Sequence, residues 1–473
     1  MATDLSAFSG VGRLPTTVTP FGVPGTPGEP VLRWATSATT VGDIQGELAR
    51  IWALPQAIAA VSGVSNRTVA ARTSVLNLVV VCRSREVAEG AASMISMLTG
   101  RHPSRTMILV PTDPDGPGWL KANVKAYCMM PRDDAPETCA EQIEVLAGGD
   151  TGRHLNSIAA PLLVHDLPVA RWWPGDPPFG TPMADRLLEM ADRLIVDGSH
   201  WSGDGLERLR FAASAAGPTL RVSDAALMRQ SRWREAVASV FDHVEFTPYL
   251  RHVRRISVTY ATLGGPDTES RTNLVKPVYQ VAWLASRLGL RVLRPLARVD
   301  RPKSARRTVA PNAAPDPGRG LRATLGATRG GEVEVVIRPV ISEMPSGTTL
   351  RVEILAERRG AELRAEVTAE AESVHVRVWE DGVEALDRVY LAARRSDVDL
   401  LAEALEASGQ DRVAGQALAF SAALVSERAP GLSMEVAGWP VGVGAAGDAD
   451  GTAEPDAEAG GEPDAEAGID DDA

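Results

Sequence analysis

The run Ser74-Val75-Leu76-Asn77-Leu78-Val79-Val80-Val81 opens a segment, residues 73–111, that indicates a β-α-β unit. Its β-branched side chains predict a buried strand. A second aliphatic run follows at 106–110. Between the two runs, apolar side chains recur at the 3.6-residue period of a helix that ends at Gly100: Val87, Ala88, Ala91, Met94, Ile95 and Leu98. Because a helix crosses between two buried strands, we expect the strands to be parallel.

Strands and helices alternate on both sides of this unit. We predict a helix that begins at about residue 40 and ends before Pro55. Further strands are predicted over 120–130, 139–147, 169–173, 194–197 and 254–260, and further helices over 180–191, 204–216, 223–242 and 273–288. This alternation predicts an α/β fold, with an N-terminal three-layer domain over residues 40–296 whose sheet is largely parallel or mixed.

A smaller C-terminal domain is predicted after a basic linker. Residues 297–330 gather arginines and prolines without apolar periodicity, which is typical of a linker. Beyond it, polar and apolar side chains alternate in four strand-length runs, at 332–340, 349–357, 361–369 and 373–380. With two helices, over 396–408 and 411–426, covering one face, these runs predict an α+β domain with an antiparallel sheet over residues 331–430.

Both ends of the chain have the composition of segments without a core. Residues 1–39 are rich in Pro and Gly and predict an extended arm. Residues 431–473 contain the sequence Glu-Pro-Asp-Ala-Glu-Ala-Gly twice and predict a disordered acidic tail. Eleven carboxylates within residues 447–473 account for nearly all of the net charge of −12. The rest of the chain is balanced, so its charge predicts neither a nucleic-acid nor a membrane partner.

The spacing of the cysteines and the composition of the first residues indicate the cellular compartment of the protein. Cys82, Cys128 and Cys139 form neither a C-x-x-C motif nor a metal-finger spacing with His, so we expect no disulfide framework and no metal site. The first residues lack the basic and apolar regions of a secretion signal, and no apolar run reaches a membrane span. We therefore expect a cytoplasmic protein.

Sequence motifs of common enzymes are absent. The chain contains no G-x-x-x-x-G-K-[ST], no G-x-S-x-G and no H-E-x-x-H, and its one G-x-G-x-x-G, at 442–447, follows no predicted strand. The residues therefore predict no catalytic group and no cofactor, and they leave open whether the chain is an enzyme.

The turn after the first crossover helix offers a candidate anion site. Two guanidinium groups and a hydroxyl between a helix end and a strand can hold a phosphate. The candidate residues are Arg101, His102, Ser104 and Arg105. The alternative is that these side chains merely solvate the connection.

The most unusual string is Arg171-Trp172-Trp173-Pro174-Gly175-Asp176-Pro177-Pro178. Adjacent residues of a strand face opposite sides, so one Trp can enter the core while the other anchors a partner at the loop surface. On that interpretation the candidate partner-binding residues are Arg171, Trp172, Trp173, Pro174, Gly175, Asp176 and Pro177. The alternative is that the two Trp side chains fill the two layers around a central strand.

These strings, taken in order, resemble the glucose-6-phosphate dehydrogenase assembly proteins, the OpcA family. The resemblance rests on residues 72–80 and 101–105, on Trp172-Trp173-Pro174-Gly175-Asp176-Pro177-Pro178, and on Asp192-Arg193-Leu194-Ile195-Val196-Asp197-Gly198-Ser199. It extends to 283–289 and covers roughly residues 40–425. It implies a partner protein that binds glucose-6-phosphate dehydrogenase, favours its active assembly and raises its activity in the oxidative pentose phosphate pathway. Redox control, which is associated with some photosynthetic members, is not carried over because the three cysteines are dispersed along the chain.

Our hypothesis from the sequence is therefore a non-catalytic allosteric activator of that dehydrogenase. The alternative is a stand-alone sugar-phosphate-binding or vestigial enzyme domain that uses the turn at 101–105. A third interpretation, nucleic-acid binding through 298–329, has no fold signature behind it.

Overall fold

The β-α-β unit predicted over 73–111 is present and lies inside a nine-stranded sheet. The computed structural model describes residues 15–21, 23, 25–62, 71–72, 74–130, 137–263, 272–299, 320–328, 330–370, 372–406 and 411–425. The strands of this first sheet are β1 (Val31–Ala38), β2 (Ala71–Arg72), β3 (Leu76–Val81), β4 (Ser104–Thr112), β5 (Trp119–Met129), β6 (Thr138–Gly148), β7 (Val169–Trp173), β8 (Arg193–Val196) and β9 (Arg221–Asp224).

The first sheet is mixed and mainly parallel, as predicted. Its strand order is β1-β5-β6-β4-β3-β7-β8-β9, and β2 pairs with β6. Every pair from β6 to β9 is parallel, and β5 is antiparallel to both β1 and β6. Strand β1 falls within the arm predicted over 1–39, where it is paired along its length with β5.

Helices cover both faces of this sheet. They are α1 (Val41–Ser62), α2 (Arg85–Met97), α3 (Gly149–Arg153), α4 (Leu155–Ala159), α5 (Pro182–Glu189), α6 (Leu206–Ala215), α7 (Ala225–Met228), α8 (Ser231–Phe241), α9 (Val275–Arg287), α10 (Asp397–Glu406) and α11 (Arg412–Leu424). Alternate residues of β3 enter different clusters: Leu78 and Val80 pack with α2 and α10, whereas Val79 and Val81 join the core on the opposite face. The three-layer prediction is therefore confirmed.

Two predicted helices have different bounds in the structure. Helix α1 continues past Pro55 to residue 62. The helix predicted over 223–242 is divided, because Asp224 ends β9 and its side chain accepts a hydrogen bond from Ala226 N to begin α7.

The second sheet has eight strands in the order β11-β12-β13-β10-β14-β15-β16-β17. They are β10 (Val253–Thr262), β11 (Arg291–Val299), β12 (Gly320–Gly326), β13 (Glu332–Ile341), β14 (Thr349–Arg358), β15 (Ala361–Ala369), β16 (Ser373–Glu380) and β17 (Val383–Leu391). All neighbours are antiparallel except β10 and β13, so the predicted antiparallel sheet is confirmed. It takes β10 and most of β11 from the predicted N-terminal domain, and β12 lies within the linker predicted over 297–330. Residues 300–319 of that linker and the predicted tail lie outside the described residues.

The two C-terminal helices do not share one face of the second sheet, and that prediction was wrong. Helix α10 packs Leu401, Ala402 and Leu405 against the first sheet, beside α2. Helix α11 packs on α6 and α9. The apolar stripe of a helix tells which side is buried, but it does not tell which surface covers it.

The cysteines also correct an expectation. Cys128 and Cys139 lie directly opposite each other on β5 and β6 and form a disulfide, with a Cα–Cα distance of 4.0 Å. Cys82 is a buried free thiol at the end of β3, and burial raises its pKa. Among the described residues, no helix is both long and apolar enough to cross a membrane.

We expect a non-reducing digest of the air-exposed protein to contain one linked peptide pair, joined through Cys128 and Cys139, because both side chains are buried and face each other across the ladder. Cys82 should resist alkylation until the chain is denatured. Mass spectrometry of digests prepared with and without reductant measures both outcomes. Rapid alkylation of Cys128 and Cys139 in the native, unreduced protein would contradict the pairing.

Candidate functional site

The strand order of the first sheet reverses between β3 and β7. The chain adds β4 on one side of β3, and later adds β7 and β8 on the other side. In open α/β sheets, such a point leaves a crevice at the carboxyl ends of the strands. Here Asp176, which follows β7, accepts a hydrogen bond from Ser202 N at 2.8 Å and pairs with Arg208 at 3.3 Å. Arg83, which follows β3, lies 4.0 Å from the same carboxylate. Ion pairs of the chain itself therefore occupy this crevice.

The turn from β3 to α2 does not fit a dinucleotide. Its residues are Cys82, Arg83 and Ser84, and it contains no glycine to let a pyrophosphate approach the backbone. Ser84 instead caps α2 by accepting a hydrogen bond from Val87 N. The first turn of the helix is thus stabilised from within the chain.

A second set of charges lies beside the crevice, where β8 ends. Arg229 reaches Asp197 at 2.5 Å and also pairs with Asp397 at the start of α10. His200 Nδ1 lies 2.9 Å from Asp197. The charge of Asp197 raises the pKa of His200. Burial opposes ionisation of Asp197, but the nearby charges of His200 and Arg229, with their hydrogen bonds, hold its pKa below the usual value.

Asp224, at the end of β9, is buried just below this set. It accepts hydrogen bonds from Gly198 N, Ala226 N and Tyr279 Oη, each at 2.8 Å. Burial, reinforced by the charge of Asp197, raises its pKa to about 6. Asp224 therefore joins α9 to the carboxyl end of the first sheet through an acid that ionises at unusually high pH.

A cavity of about 50 Å³ lies beside these charges and is lined by α10. Its wall combines Trp172, Pro174 and Gly175 with the apolar side of α10, and Asp197, His200, Arg229 and Asp397 lie at its polar end. Helix α10 is held at both ends: Asp397 contacts Arg229, and Glu406 contacts Arg101 at 2.7 Å and His102 at 3.3 Å. Arg193 also donates to Leu405 O at 3.1 Å. One wall of the cavity is therefore formed by a helix that the C-terminal part of the chain supplies.

The predicted anion-binding residues make three separate contacts. Arg101 and His102 share Glu406, as described above. The Ser104 hydroxyl is buried against that of Thr106 at 2.9 Å. Arg105 lies on the other side of β4, where it pairs with Glu141 and donates to Leu162 O at 3.0 Å. Their role in binding phosphate stays a prediction, and a phosphate would have to displace Glu406 from Arg101.

The predicted partner-binding string lies mostly inside the chain. Trp173 is fully buried and packs edge-on against Phe179 at 5.6 Å between ring centroids, whereas Trp172 enters the opposite layer. This arrangement corresponds to the alternative in which the two Trp side chains fill two layers. Of the seven candidate residues, only Gly175 keeps partial exposure. Direct partner binding by this string stays a prediction.

Arg171 is the unusual member of that string. Its side chain is fully buried, and Nη2 donates to Leu187 O at 2.8 Å. Its Nε and Nη1 atoms have no hydrogen-bond acceptor among the described residues. Burial lowers its pKa to about 9.

Sequence reasoning missed the charged set around the cavity. Asp197 follows the parallel strand β8 and Asp224 ends its neighbour β9, and side chains at the carboxyl ends of neighbouring parallel strands lie close together, so a local signal existed. No local signal indicated Asp397, because it pairs with a residue, Arg229, that is 168 positions away in the sequence.

Two family models match the chain once its layout is compared with known proteins. The model described as "Glucose-6-phosphate dehydrogenase subunit N-terminal domain" matches residues 95–212, and the corresponding C-terminal domain matches residues 220–418. The chain belongs to the OpcA family. The second model begins just before β9, so the family's C-terminal part includes the last strand of the first sheet together with the second sheet.

Individual relatives of this OpcA family member match over part of their length. Curated proteins named "OxPP cycle protein OpcA" from Synechocystis sp. and Synechococcus elongatus are each 26% identical, over 40% and 42% of this chain. The chain spans about two fifths of those relatives, 38% and 42%. Among solved structures, UDP-N-acetylglucosamine 3-dehydrogenase GnnA from Acidithiobacillus ferrooxidans is similar at a TM-score of 0.36 and 10% identity, over 74% of this chain and 95% of that one.

We expect Arg171→Met to raise the free energy of unfolding by about 1–3 kcal/mol, because it removes a buried charge without a counter-ion and keeps most of the volume. Arg193→Met is the matched control and should lower stability, since it removes the hydrogen bond to α10. Urea unfolding followed by fluorescence measures both. An Arg171→Met protein no more stable than wild type would show that the guanidinium is well compensated.

We expect Asp224→Asn to change how stability depends on pH. The pKa of Asp224 is higher in the folded chain, about 6, than the ordinary value of 3.8, so the folded state binds this proton more tightly. Its contribution to stability is therefore present at low pH and falls as the pH rises from about 4 to about 6. For a difference of about two pKa units, that fall approaches about 3 kcal/mol.

Urea unfolding at several pH values, with stability taken as wild type minus variant, isolates this contribution. The difference should decrease across that window for Asp224→Asn. The exposed carboxylate variant Asp242→Asn controls for the loss of one charge. A difference that is constant with pH would contradict the raised pKa of Asp224. His200 loses its stabilising contribution only as the pH rises through its own raised pKa, above 6.5.

Proposed function

We propose that this chain is a non-catalytic assembly subunit of glucose-6-phosphate dehydrogenase that activates the enzyme allosterically. The observation that carries the proposal is the match of the two family models, which together reach from residue 95 to residue 418. On this proposal the chain acts in the oxidative pentose phosphate pathway and in the cytoplasm. In a reducing cytoplasm, Cys128 and Cys139 would be held mainly as thiols.

The charge arrangement at the crevice supports a role without catalysis. Asp176 is already paired with arginines, and the neighbouring turn lacks the glycines that a dinucleotide needs. A carboxylate with its hydrogen bonds filled is poorly placed to move a proton or to bind a substrate.

Activation by a partner needs only a difference in affinity. A subunit that binds the active form of the dehydrogenase more tightly than the inactive form shifts the population by that difference. Couplings of about 1–3 kcal/mol change activity by about 5–150-fold. A folded surface of this chain is sufficient to provide this difference in affinity, and no reacting group is needed.

The test is a titration of purified glucose-6-phosphate dehydrogenase from the same source with this chain, at fixed substrate below saturation. We expect a saturable rise in activity and a shared peak on a sizing column. The chain alone, with glucose 6-phosphate and NADP⁺, should produce no NADPH. A dehydrogenase of unrelated fold is the control for non-specific protection of a dilute enzyme.

Each outcome bears on a different part of the proposal. NADPH production by the chain alone would contradict the absence of catalysis. A dehydrogenase that neither changes in activity nor co-elutes would overturn the partner role. Calorimetry with glucose 6-phosphate on the isolated chain tests the sugar-phosphate alternative, which requires heat of binding that is lost in Arg101→Gln.

A further inference from the structure

The second sheet has one face in the core and one face that no described helix covers. Ile337, Ile354 and Val376 point into the core, and helices α8, α9 and α11 join the same core. Their strand neighbours point the opposite way. We call the surface formed by these neighbours the outer face. Backbone pairing aligns one of its rows across β12 to β17: Arg322, Val336, Ser257, Glu353, Glu366, Arg377 and Asp387.

Charges of both signs alternate across the outer face. Glu366, only 7% exposed, is paired with Arg377 at 2.8 Å and with Arg351 at 3.4 Å. Two further cross-strand pairs, Arg255 with Glu334 at 2.7 Å and His375 with Asp387 at 2.6 Å, lie on either side. These pairs fix the long side chains in place before any partner arrives, which lowers the entropy cost of binding.

Three charged groups on this face form no ion pair among the residues that the structure describes. Glu353 lies opposite Glu366 on the adjacent strand, and its negative charge acts on Arg338. Arg338 Nε is buried without a hydrogen-bond acceptor. Arg364 stacks on the ring of Trp379 at 4.2 Å instead of pairing with an acid. Arg364 therefore keeps a positive charge for a partner, whereas Glu353 and Arg338 partly compensate each other.

Apolar side chains accompany these charges. Val389 and Leu391 of β17 are opposite His375 and Ser373, so they lie on the outer face, and they are 60% and 86% exposed. Trp379 lies between two guanidinium groups, since Arg377 is also within 5.3 Å of its ring. Trp and Arg are the residue types that most often carry binding energy in protein interfaces.

The outer face is large enough for a stable interface. Eight strands spaced about 4.8 Å apart, with about eight residues each at about 3.3 Å, span roughly 1,000 Å². A standard interface buries about 800 Å² per partner.

We propose that the outer face binds a second copy of this chain, face to face, in a two-fold symmetric dimer. A two-fold interface uses the same surface on both subunits and must be complementary to itself. The outer face meets this condition because charges of both signs alternate across it, beside exposed apolar side chains. Leu391, Val389 and Trp379 are then buried between the copies.

Sedimentation equilibrium of the full chain over micromolar concentrations tests this proposal. We expect a mass of twice the 50.1 kDa of one chain. The double variant Val389→Asp/Leu391→Asp should weaken the dimer by at least about tenfold, because it places charges on apolar surface that the dimer buries along the edge strand β17. Val244→Asp, at a residue 83% exposed between α8 and β10, introduces the same charge away from the outer face and should leave the dimer intact.

Trp379→Ala is a second, independent variant, and circular dichroism confirms that each variant is folded. It should weaken the dimer without adding charge. A wild-type chain that stays at 50.1 kDa overturns the proposal, as does a dimer unaffected by both outer-face variants. A monomer that binds glucose-6-phosphate dehydrogenase only when the outer face is intact also overturns it and assigns this face to the enzyme. The measurement uses the chain alone, so its failure leaves the proposed function untouched.

Discussion

The burial of strand β7 on both faces is the constraint on which the rest of the structure depends. All five of its residues, Val169–Trp173, are buried, and Trp172 and Trp173 fill opposite layers. A central parallel strand needs a helix on each side, and near β7 one of these is α10, which the chain supplies only after completing the second sheet. The ion pair between Arg229 and Asp397 holds the start of that helix in place. Helix α10 follows the second sheet along the chain and packs on the first sheet. It therefore links the two sheets in addition to the direct chain connection between them.

Local pattern was sufficient for elements whose partners lie nearby in sequence. The helix between β3 and β4 was predicted because its apolar period, its terminal glycine and both flanking strands fall within forty residues. Strand β10 was also predicted, but its place in the second sheet was not, since its partners are β13 and β14, far along the chain. Periodicity identifies an element and the side it buries, whereas pairing across long separations depends on the whole core.

The candidate site shows the same division. Asp197 and Asp224 follow from a rule about strand ends, but their pKa values depend on which charges the remaining fold brings near them. Asp197 is surrounded by His200 and Arg229, which favour its ionised form, whereas Asp224 is buried next to that charge and is driven toward its protonated form. The pKa values of these two carboxylates thus differ because His200 and Arg229 stabilise the charge of Asp197, whereas burial beside that charge disfavours ionisation of Asp224. Likewise, the register of β5 and β6 places Cys128 opposite Cys139. The spacing of the two cysteines in the sequence does not predict this register.

These features together explain how an α/β layout can serve recognition. Where such a sheet would open to a ligand, this chain has Asp176 already paired with arginines, and α10 lines the cavity beside it. The charged groups at the carboxyl end of the first sheet form ion pairs within the chain, and these pairs stabilise the fold. The outer face of the second sheet is the opposite case, because Arg364 has no acid paired with it among the described residues and apolar side chains stay exposed. Contact with a second protein would bury this apolar surface, and the proposed association through that face rests on this gain.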